Sequence, residues 1–422
     1  MTFPTIPLRR IFKVVNGGTP AQDVAYWNGT IPWATPADFG EHFAAIHQTR
    51  RAITRNGAEN GSATVPRNSL IVSTRAPIGY ISIATEETAF NQGCRGLVPT
   101  GTANSKFYGY QLEARREELQ SLGLGSTFME LSTNELASFP LYTCSPLEQR
   151  HIADFLDAET AHIDRTVATS KRLLEVLDER RTAAVVNQIL GGATTGRRSK
   201  LPWAEFLPDA WDEVRVGLLA RMGSGHTPSR SKPEWWKDCT IPWITTGEVQ
   251  QVRDDRTEVI THTREKISVL GMRNSSAELH PRGTVVLCRT ASAGYSAVMG
   301  TDMATSQDFV TWTCGPRLDP YYLLWCLRAM RQDLLGRLAM GSTHKTIYVP
   351  DLQMLKIPLP PSVDDQREIV QRIRRNNEKA DRLTDKVKGQ LDLLAERRRA
   401  LITAAVTGQF DVSTASGRGV TE

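Results

Sequence analysis

Two sets of residues in this chain have the chemistry to touch a phosphate or a base edge, and they stand in the same order in each half. In the first half they are Arg75, Gln92, Ser126 and Thr127; in the second they are Arg289, Gln307, Ser342, Thr343, His344 and Lys345. A guanidinium beside a Gly-Tyr turn can pair with a guanine edge or a phosphate, or brace its own loop through backbone carbonyls. Glutamine can read adenine, or serve as a structural hydrogen-bonding group. The hydroxyls follow Gly125 and Gly341 in glycine-rich loops that suit phosphate contact, a plain turn being the alternative. His344 and Lys345 extend the second loop and add a cation. All ten are candidate nucleic-acid-binding residues.

Signatures of catalysis are missing. No Lys follows a Gly, so there is no phosphate-binding P-loop, and G-x-G-x-x-G, H-E-x-x-H and G-x-S-x-G do not occur. No Asp or Glu stands two residues before a Lys, as a carboxylate-x-lysine metal nuclease would require. The eight histidines have no partner at ligand spacing, and the six cysteines include no C-x-x-C pair. The expectation is a binding protein with no catalytic residues, no metal and no cofactor.

The elements that must position the candidates are duplicated. Tyr26–Trp33 (YWNGTIPW) follows Thr19-Pro20, and Trp235–Trp243 (WWKDCTIPW) follows Thr227-Pro228. STRAPIGY from Ser73 echoes CRTASAGY from Cys288, and EQR at Glu148 echoes DQR at Asp365. Repeats of 20–50 residues build solenoids; this one spans half the chain and reads as a duplicated domain. Short β-type runs at Ser69–Thr74 and Tyr80–Ala84 lie between turn residues, and helical patterns follow at Phe107–Gln120 and Tyr321–Leu338. Trp33 and Trp243 read as core residues.

Two longer helices separate and follow these segments. Ser145 and Pro146 start the first, and Ser362 caps the second. Leu156, Ile163, Ser170, Leu177 and Ala184 are spaced by seven, as are Ile373, Ala380, Val387, Leu394 and Leu401, which predicts a coiled coil, antiparallel if a pseudo-twofold axis relates the repeats, the alternative being two amphipathic helices each lying on its own domain. The fold class expected is α+β: two mixed α/β domains separated by two long helices, with internal pseudo-twofold duplication. The domain boundaries expected are 1–146, a central helix over 147–192, a linker and second domain over 193–361, a C-terminal helix over 362–412, and a disordered tail over 413–422.

Composition narrows the partners. At 40% hydrophobic and 23% charged residues over 422 positions, the chain is an ordinary globular protein of two or more domains. Scattered cysteines and the lack of a signal-peptide layout or an apolar run of spanning length predict a cytoplasmic protein. A net charge of +5 is mild, so any nucleic-acid binding must come from local arginine placement or be shared with other subunits.

NGGTP at Asn16, WNGTIPW at Trp27, TRAPIG at Thr74, NQG at Asn91, GST at Gly125 and LEQRHI at Leu147, in this order and repeated, resemble the specificity subunit of a type I restriction–modification system. The second copy departs in places: Ser306 replaces Asn91, and Cys288-Arg289-Thr290 stands against Ser73-Thr74-Arg75. The resemblance covers nearly the whole chain. It implies two target recognition domains that read the halves of a split double-stranded DNA sequence. The coiled coil would be the spacer, carried by Leu156, Ile163, Leu177, Ile373, Val387 and Leu394. It also implies two methyltransferase subunits as partners, to which two restriction subunits can be added; S-adenosylmethionine, ATP and magnesium belong to those partners. Two alternatives remain open: a protein-binding scaffold, and a nuclease with an active site of unrecognised form.

Overall fold

The computed structural model describes residues 2–123, 129–340 and 345–412. The chain divides into two compact units, Met1–Ser170 with Lys388–Glu422, and Lys171–Val387. Each is built around an antiparallel sheet whose central strands are apolar on both faces. Such runs form only where both faces are covered.

In the first unit the strand order is Phe12–Asn16, Cys94–Pro99, Leu70–Ser73, Ile81–Ala84 and Ala44–Ile46. All pairings are antiparallel except the last, in which Ala44–Ile46 runs parallel to Ile81–Ala84. The second unit repeats the order with Ala220–Ser224, Phe309–Cys314, Val285–Cys288, Ser296–Met299 and Val259–Ile260, again with one parallel edge. A smaller sheet accompanies each. Trp27–Ala34 lies between Arg51–Ile53 and Thr88–Phe90 in the first unit, and Ile241–Ile244 lies between Lys266–Ile267 and Ala304–Thr305 in the second. Trp33 and Trp243 of the repeated I-P-W phrase are buried in these smaller sheets. Trp33 packs edge-on against Trp27, and Trp243 against Trp236.

Each large sheet is covered by a helix, Ser105–Ala114 or Pro320–Ala329, started by the side chain of Asn104 or Asp319. Both stop short of the extent expected from the sequence. Arg115 breaks the first before a second short helix, Arg116–Ser121, and Met330 breaks the other before Arg331–Asp333.

The long helices are Pro146–Ile189 and Val363–Thr407, each about 65 Å at 1.5 Å per residue. Ser145 Oγ accepts from the Glu148 N–H at 3.3 Å, and Ser362 Oγ accepts from the Asp365 N–H at 3.1 Å. The Asp365 carboxylate accepts in return from the Ser362 N–H at 3.0 Å, completing a capping box. Inside the first unit Ile152, Ala153 and Leu156 share one core with Ile402, Ala405 and Val406. Inside the second, Val185 and Ile189 share a core with Ile369, Val370 and Ile373. In both units the partners descend along one helix as they ascend along the other, so the helices pair antiparallel.

Of the heptad residues, Leu156, Ile163, Ile373 and Val387 are buried, while Leu177 and Leu394 are half-buried. One ion pair occurs twice with the helices exchanged. Arg398 Nη1 of the second helix meets Asp164 Oδ1 of the first at 2.9 Å in the first unit. Arg181 Nη1 of the first helix meets Asp381 Oδ1 of the second at 3.5 Å in the second unit. Among the described residues no helix is long and apolar enough to cross a membrane.

Candidate nucleic-acid interface

Three loops of the first unit converge at one end of its large sheet. Past Leu70–Ser73 the Thr74 N–H donates to the Gly93 carbonyl at 2.8 Å, and Arg75 follows. The Asn91–Gly93 turn is closed by the Asn91 side chain, whose Oδ1 accepts from the Gly93 N–H at 3.0 Å. A third loop, from Gly17 to Pro20, is laid against that turn, the Gly18 N–H donating to the Phe90 carbonyl at 3.0 Å. Only glycine permits this approach, because a Cβ at Gly17 would lie 2.1 Å from the Asn91 carbonyl oxygen. The Thr19 hydroxyl then donates to Gln92 Oε1.

Arg75 and Gln92 are joined through residues not singled out from the sequence. Arg75 pairs with Glu130 both as a backbone bridge and through Nε, 3.2 Å from Glu130 Oε2. Arg95 reaches the other oxygen of that carboxylate at 3.5 Å and donates from Nη1 to the Gln92 carbonyl at 2.9 Å. Its Nε donates to the Thr133 hydroxyl at 3.0 Å. Arg75 therefore shares Glu130 with Arg95, and its side chain is still 49% exposed.

The second unit builds the same scaffold with other side chains. The His226 N–H donates to the Thr305 carbonyl at 3.0 Å, and a Cβ at Gly225 would lie 2.2 Å from that carbonyl's oxygen. The Thr227 hydroxyl donates to Gln307 Oε1 at 2.5 Å. Ser306 takes the place of Asn91, its Oγ accepting from the Asp308 N–H at 3.4 Å. Thr290 donates to Asp308 Oδ1 at 2.5 Å, and Arg289 Nε donates to the Gln307 carbonyl at 3.0 Å.

The backbone settles the phase between the copies. Leu131 N–H donates to the Thr74 carbonyl and Ile347 N–H to the Arg289 carbonyl, both at 2.8 Å. Arg289 thus occupies the place of Thr74, and Thr290 that of Arg75. What Arg289 shares with the first unit is the task of Arg95, holding the glutamine carbonyl. Lys345 is exposed beside Thr346, which bridges Thr290, so it joins the same cluster. Ser126, Thr127, Ser342, Thr343 and His344 lie outside the described residues.

Two further residues that position these elements hide in the E-Q-R and D-Q-R phrases. Gln149 Oε1 accepts from the Asn104 N–H at 3.0 Å, and its amide donates to the Cys144 carbonyl at 2.9 Å. Gln366 Oε1 accepts from the Asp319 N–H at 2.9 Å and its amide donates to the Arg317 carbonyl at 3.0 Å. Each buried glutamine ties a long helix to the N-terminus of its unit's sheet-covering helix. The repetition of the phrase was the available signal.

With this geometry in place, known proteins can be compared. The profile of the family described as "Type I restriction modification DNA specificity domain" matches residues 2–178 and 208–392. The chain belongs to that family. It is 23% identical over 373 residues to the type I restriction enzyme MjaIX specificity subunit of Methanocaldococcus jannaschii, covering 84% of this chain and 82% of that protein. It is 20% identical over 425 residues to the EcoBI specificity subunit of Escherichia coli, covering 96% and 80%. A solved structure described under complex assembly and conformational transition of the type I R-M system has the same fold, with a TM-score of 0.72 at 14% identity, covering 97% of this chain and 98% of that one. The crystal structure of the HsdS subunit from Thermoanaerobacter tengcongensis matches with a TM-score of 0.55 at 14% identity, covering 96% and 97%.

Each loop cluster of this family member holds one buried cysteine. Burial pushes the Cys288 thiol, next to Arg289, up to about 12, and raises that of Cys94 beside the Gln92 turn as well. Both thiols stay protonated and are poor nucleophiles. No group of three or more His, Cys, Asp or Glu stands at metal-holding distance among the described residues. Besides the carboxylates of Glu130 and Asp308, the polar groups on these surfaces are guanidinium, ammonium, amide and hydroxyl, groups able to contact phosphates and base edges.

Proposed function

We propose that this chain is the sequence-specific DNA-binding subunit of a type I restriction–modification complex, reading an asymmetric bipartite target. One observation carries the reading. The same loop scaffold is built twice, with the same Thr-to-Gln hydrogen bond, while the charged groups around it differ: Arg75, Glu130 and Arg95 in one unit, Arg289, Asp308 and Lys345 in the other. Two readers on one frame suit two unlike half-sites. Segments 1–146 and 193–361 are then the target recognition domains, and 147–192 and 362–412 the paired-helix spacers.

The chain itself performs no catalysis in this reading. It directs two methyltransferase subunits, and two restriction subunits where present, to the double-stranded target in the cytoplasm. Arg75, Gln92, Arg289, Gln307 and Lys345 are the described residues assigned to DNA, with Ser126, Thr127, Ser342, Thr343 and His344 extending the set.

Modification-aware sequencing of a host carrying this gene and its methyltransferase partner tests the reading. A split methylated motif should appear, and should vanish when this gene alone is deleted. Persistence of the motif after deletion would assign recognition to another chain.

A further inference from the structure

Duplication inside one chain offers a control that a single domain lacks. If two readers contact two different half-sites, whatever is common to both half-sites should be met by groups common to both readers. Every half-site shares its sugar–phosphate backbone and differs in its base edges. Phosphate contacts fix register without carrying sequence, whereas base contacts carry it.

Side chains around the loop clusters sort cleanly on this criterion. Arg75 of the first unit is matched by Thr290, Gly93 by Asp308, and Glu130 by Thr346, so these positions differ in charge. One exposed pair is the same in both: Thr19 with Gln92, and Thr227 with Gln307. In each the hydroxyl donates to the amide oxygen, and in each the backbone is pressed into place by a glycine that admits no Cβ. In each, an arginine holds the glutamine carbonyl, Arg95 at 2.9 Å or Arg289 at 3.0 Å.

The hydrogen-bond direction decides what such a glutamine can present. Reading adenine takes both ends of the amide, oxygen to N6 and nitrogen to N7. Here threonine occupies one of the two lone pairs of the oxygen, while among the described residues no acceptor takes the NH2 group, so each exposed amide keeps two free donors. Donors match the non-bridging oxygens of a phosphate.

Resting on the assignment of this chain as a DNA reader, we propose that Thr19–Gln92 and Thr227–Gln307 are a matched pair of backbone-phosphate contacts. One would set the register of each reader on its half-site. Gln92 and Gln307 touch the phosphate; Thr19 and Thr227 are positioning residues that turn the amide outward. The neighbouring positions that differ, Arg75 against Thr290 and Gly93 against Asp308, are left to discriminate bases.

The experiment uses the complex of the full chain with its methyltransferase partner. Binding is measured on DNA carrying the methylated motif, on the same duplex with both half-sites scrambled, and across a salt series. For Q92A and for Q307A the affinity should fall about tenfold or more, as for loss of a hydrogen bond to a charged group, and by the same factor on both DNAs. The motif read by sequencing should not change. The slope of affinity against salt should also stay the same, because a neutral amide releases no counterion. Q92E and Q307E keep the acceptor for threonine but face phosphate with a carboxylate, and should weaken both DNAs further. T19V and T227V should resemble the alanine variants, with unaltered thermal unfolding as the folding control.

A loss confined to motif DNA, or a new base preference at one half-site, would overturn the phosphate assignment in favour of base reading. Unchanged affinity in the Q92A/Q307A double variant would overturn it in favour of a purely structural pair. A wild-type complex that binds motif and scrambled DNA alike would instead sink the reader assignment on which it rests.

Discussion

The two units share a backbone scaffold and disagree in how it is charged. In the first, a carboxylate, Glu130, sits between two arginines; in the second, Asp308 is held by the Thr290 hydroxyl and Arg289 turns to a backbone carbonyl. The disagreement continues where each unit meets its helices. On the sheet-covering helix, Glu113 of the first unit lies near Arg398, while the second unit carries Arg328 there, paired with Asp255. Burial lowers the Arg328 pKa to about 10 against the pull of Asp255. On the long helices, Asp157 pairs with Lys106 in the first unit, and Arg374 pairs with Glu258 in the second. Charge is thus inverted at equivalent places on the frame, and exchanging the domains would set Lys106 against Arg374 and Glu258 against Asp157. The frame is symmetric, and each domain is keyed to its own place on it.

The exchanged helix pair offers the sharpest way to break this comparison. Arg398 is 3% exposed and serves both Asp164 and Glu113, whereas Arg181 and Asp381 are 15% and 21% exposed. Arg398→Ala leaves the buried Glu113 carboxylate with only its 2.9 Å contact to His42 Nδ1 and should cost about 3 kcal/mol. Arg181→Ala leaves groups that water can reach and should cost less. Urea midpoints for the two variants decide it, and equal losses would mean that the burial difference has no energetic weight.

Next come the buried glutamines, where the units should agree. Gln149→Ala and Gln366→Ala each orphan a backbone N–H at a helix start and a facing carbonyl. Each should destabilise by about 2–3 kcal/mol. A large effect in one unit alone would show that the repeated phrase outlived its structural reason in the other.

Why some of this was legible and some not is itself physical. Repeated words such as Thr-Pro, I-P-W and E-Q-R proved to mark backbone duties: Gln149 and Gln366 tie helices together, and Trp33 and Trp243 fill small sheets. Backbone duties demand particular side chains, so they survive duplication and can be read. The partners of Arg75 were not readable, because Glu130 and Arg95 reach it only through sheet pairing between distant segments. Setting Cys288-Arg289-Thr290 against Ser73-Thr74-Arg75 already placed Arg289 on Thr74, and the hydrogen-bond partners agree. Helix periodicity was the most legible feature, since a seven-residue seam is local information.

Half-site assignment can be sharpened by removing one arginine at a time. Arg75→Ala should relax the methylated motif in one half only, losing about 1–2 kcal/mol of discrimination there. Arg289→Ala should relax the other half. Sequencing of the methylated motif separates the outcomes, and relaxation of the same half by both variants would refute independent readers.

The smallest effect expected is a difference in acid sensitivity. His280 bridges Met303 in the second unit, where Val65 pairs with Thr88 in the first, and both His280 and Val65 are buried. Burial lowers the His280 pKa below its ordinary 6.5, the charge of Glu278 opposing the shift without cancelling it. Above pH 6.5 the imidazole is neutral folded or unfolded, so stability is unaffected. As pH falls below 6.5 the unfolded chain takes up a proton that the folded unit resists, and stability declines until the folded pKa is passed. His280→Val should remove this dependence and leave the second unit as indifferent to mild acid as Val65 leaves the first. Hydrogen-exchange protection of Val285–Cys288 compared with Leu70–Ser73, at pH 7 and pH 5, measures it after correction for the intrinsic exchange rates. If protection at the two strands falls in parallel and His280→Val changes neither, the buried imidazole is not the source.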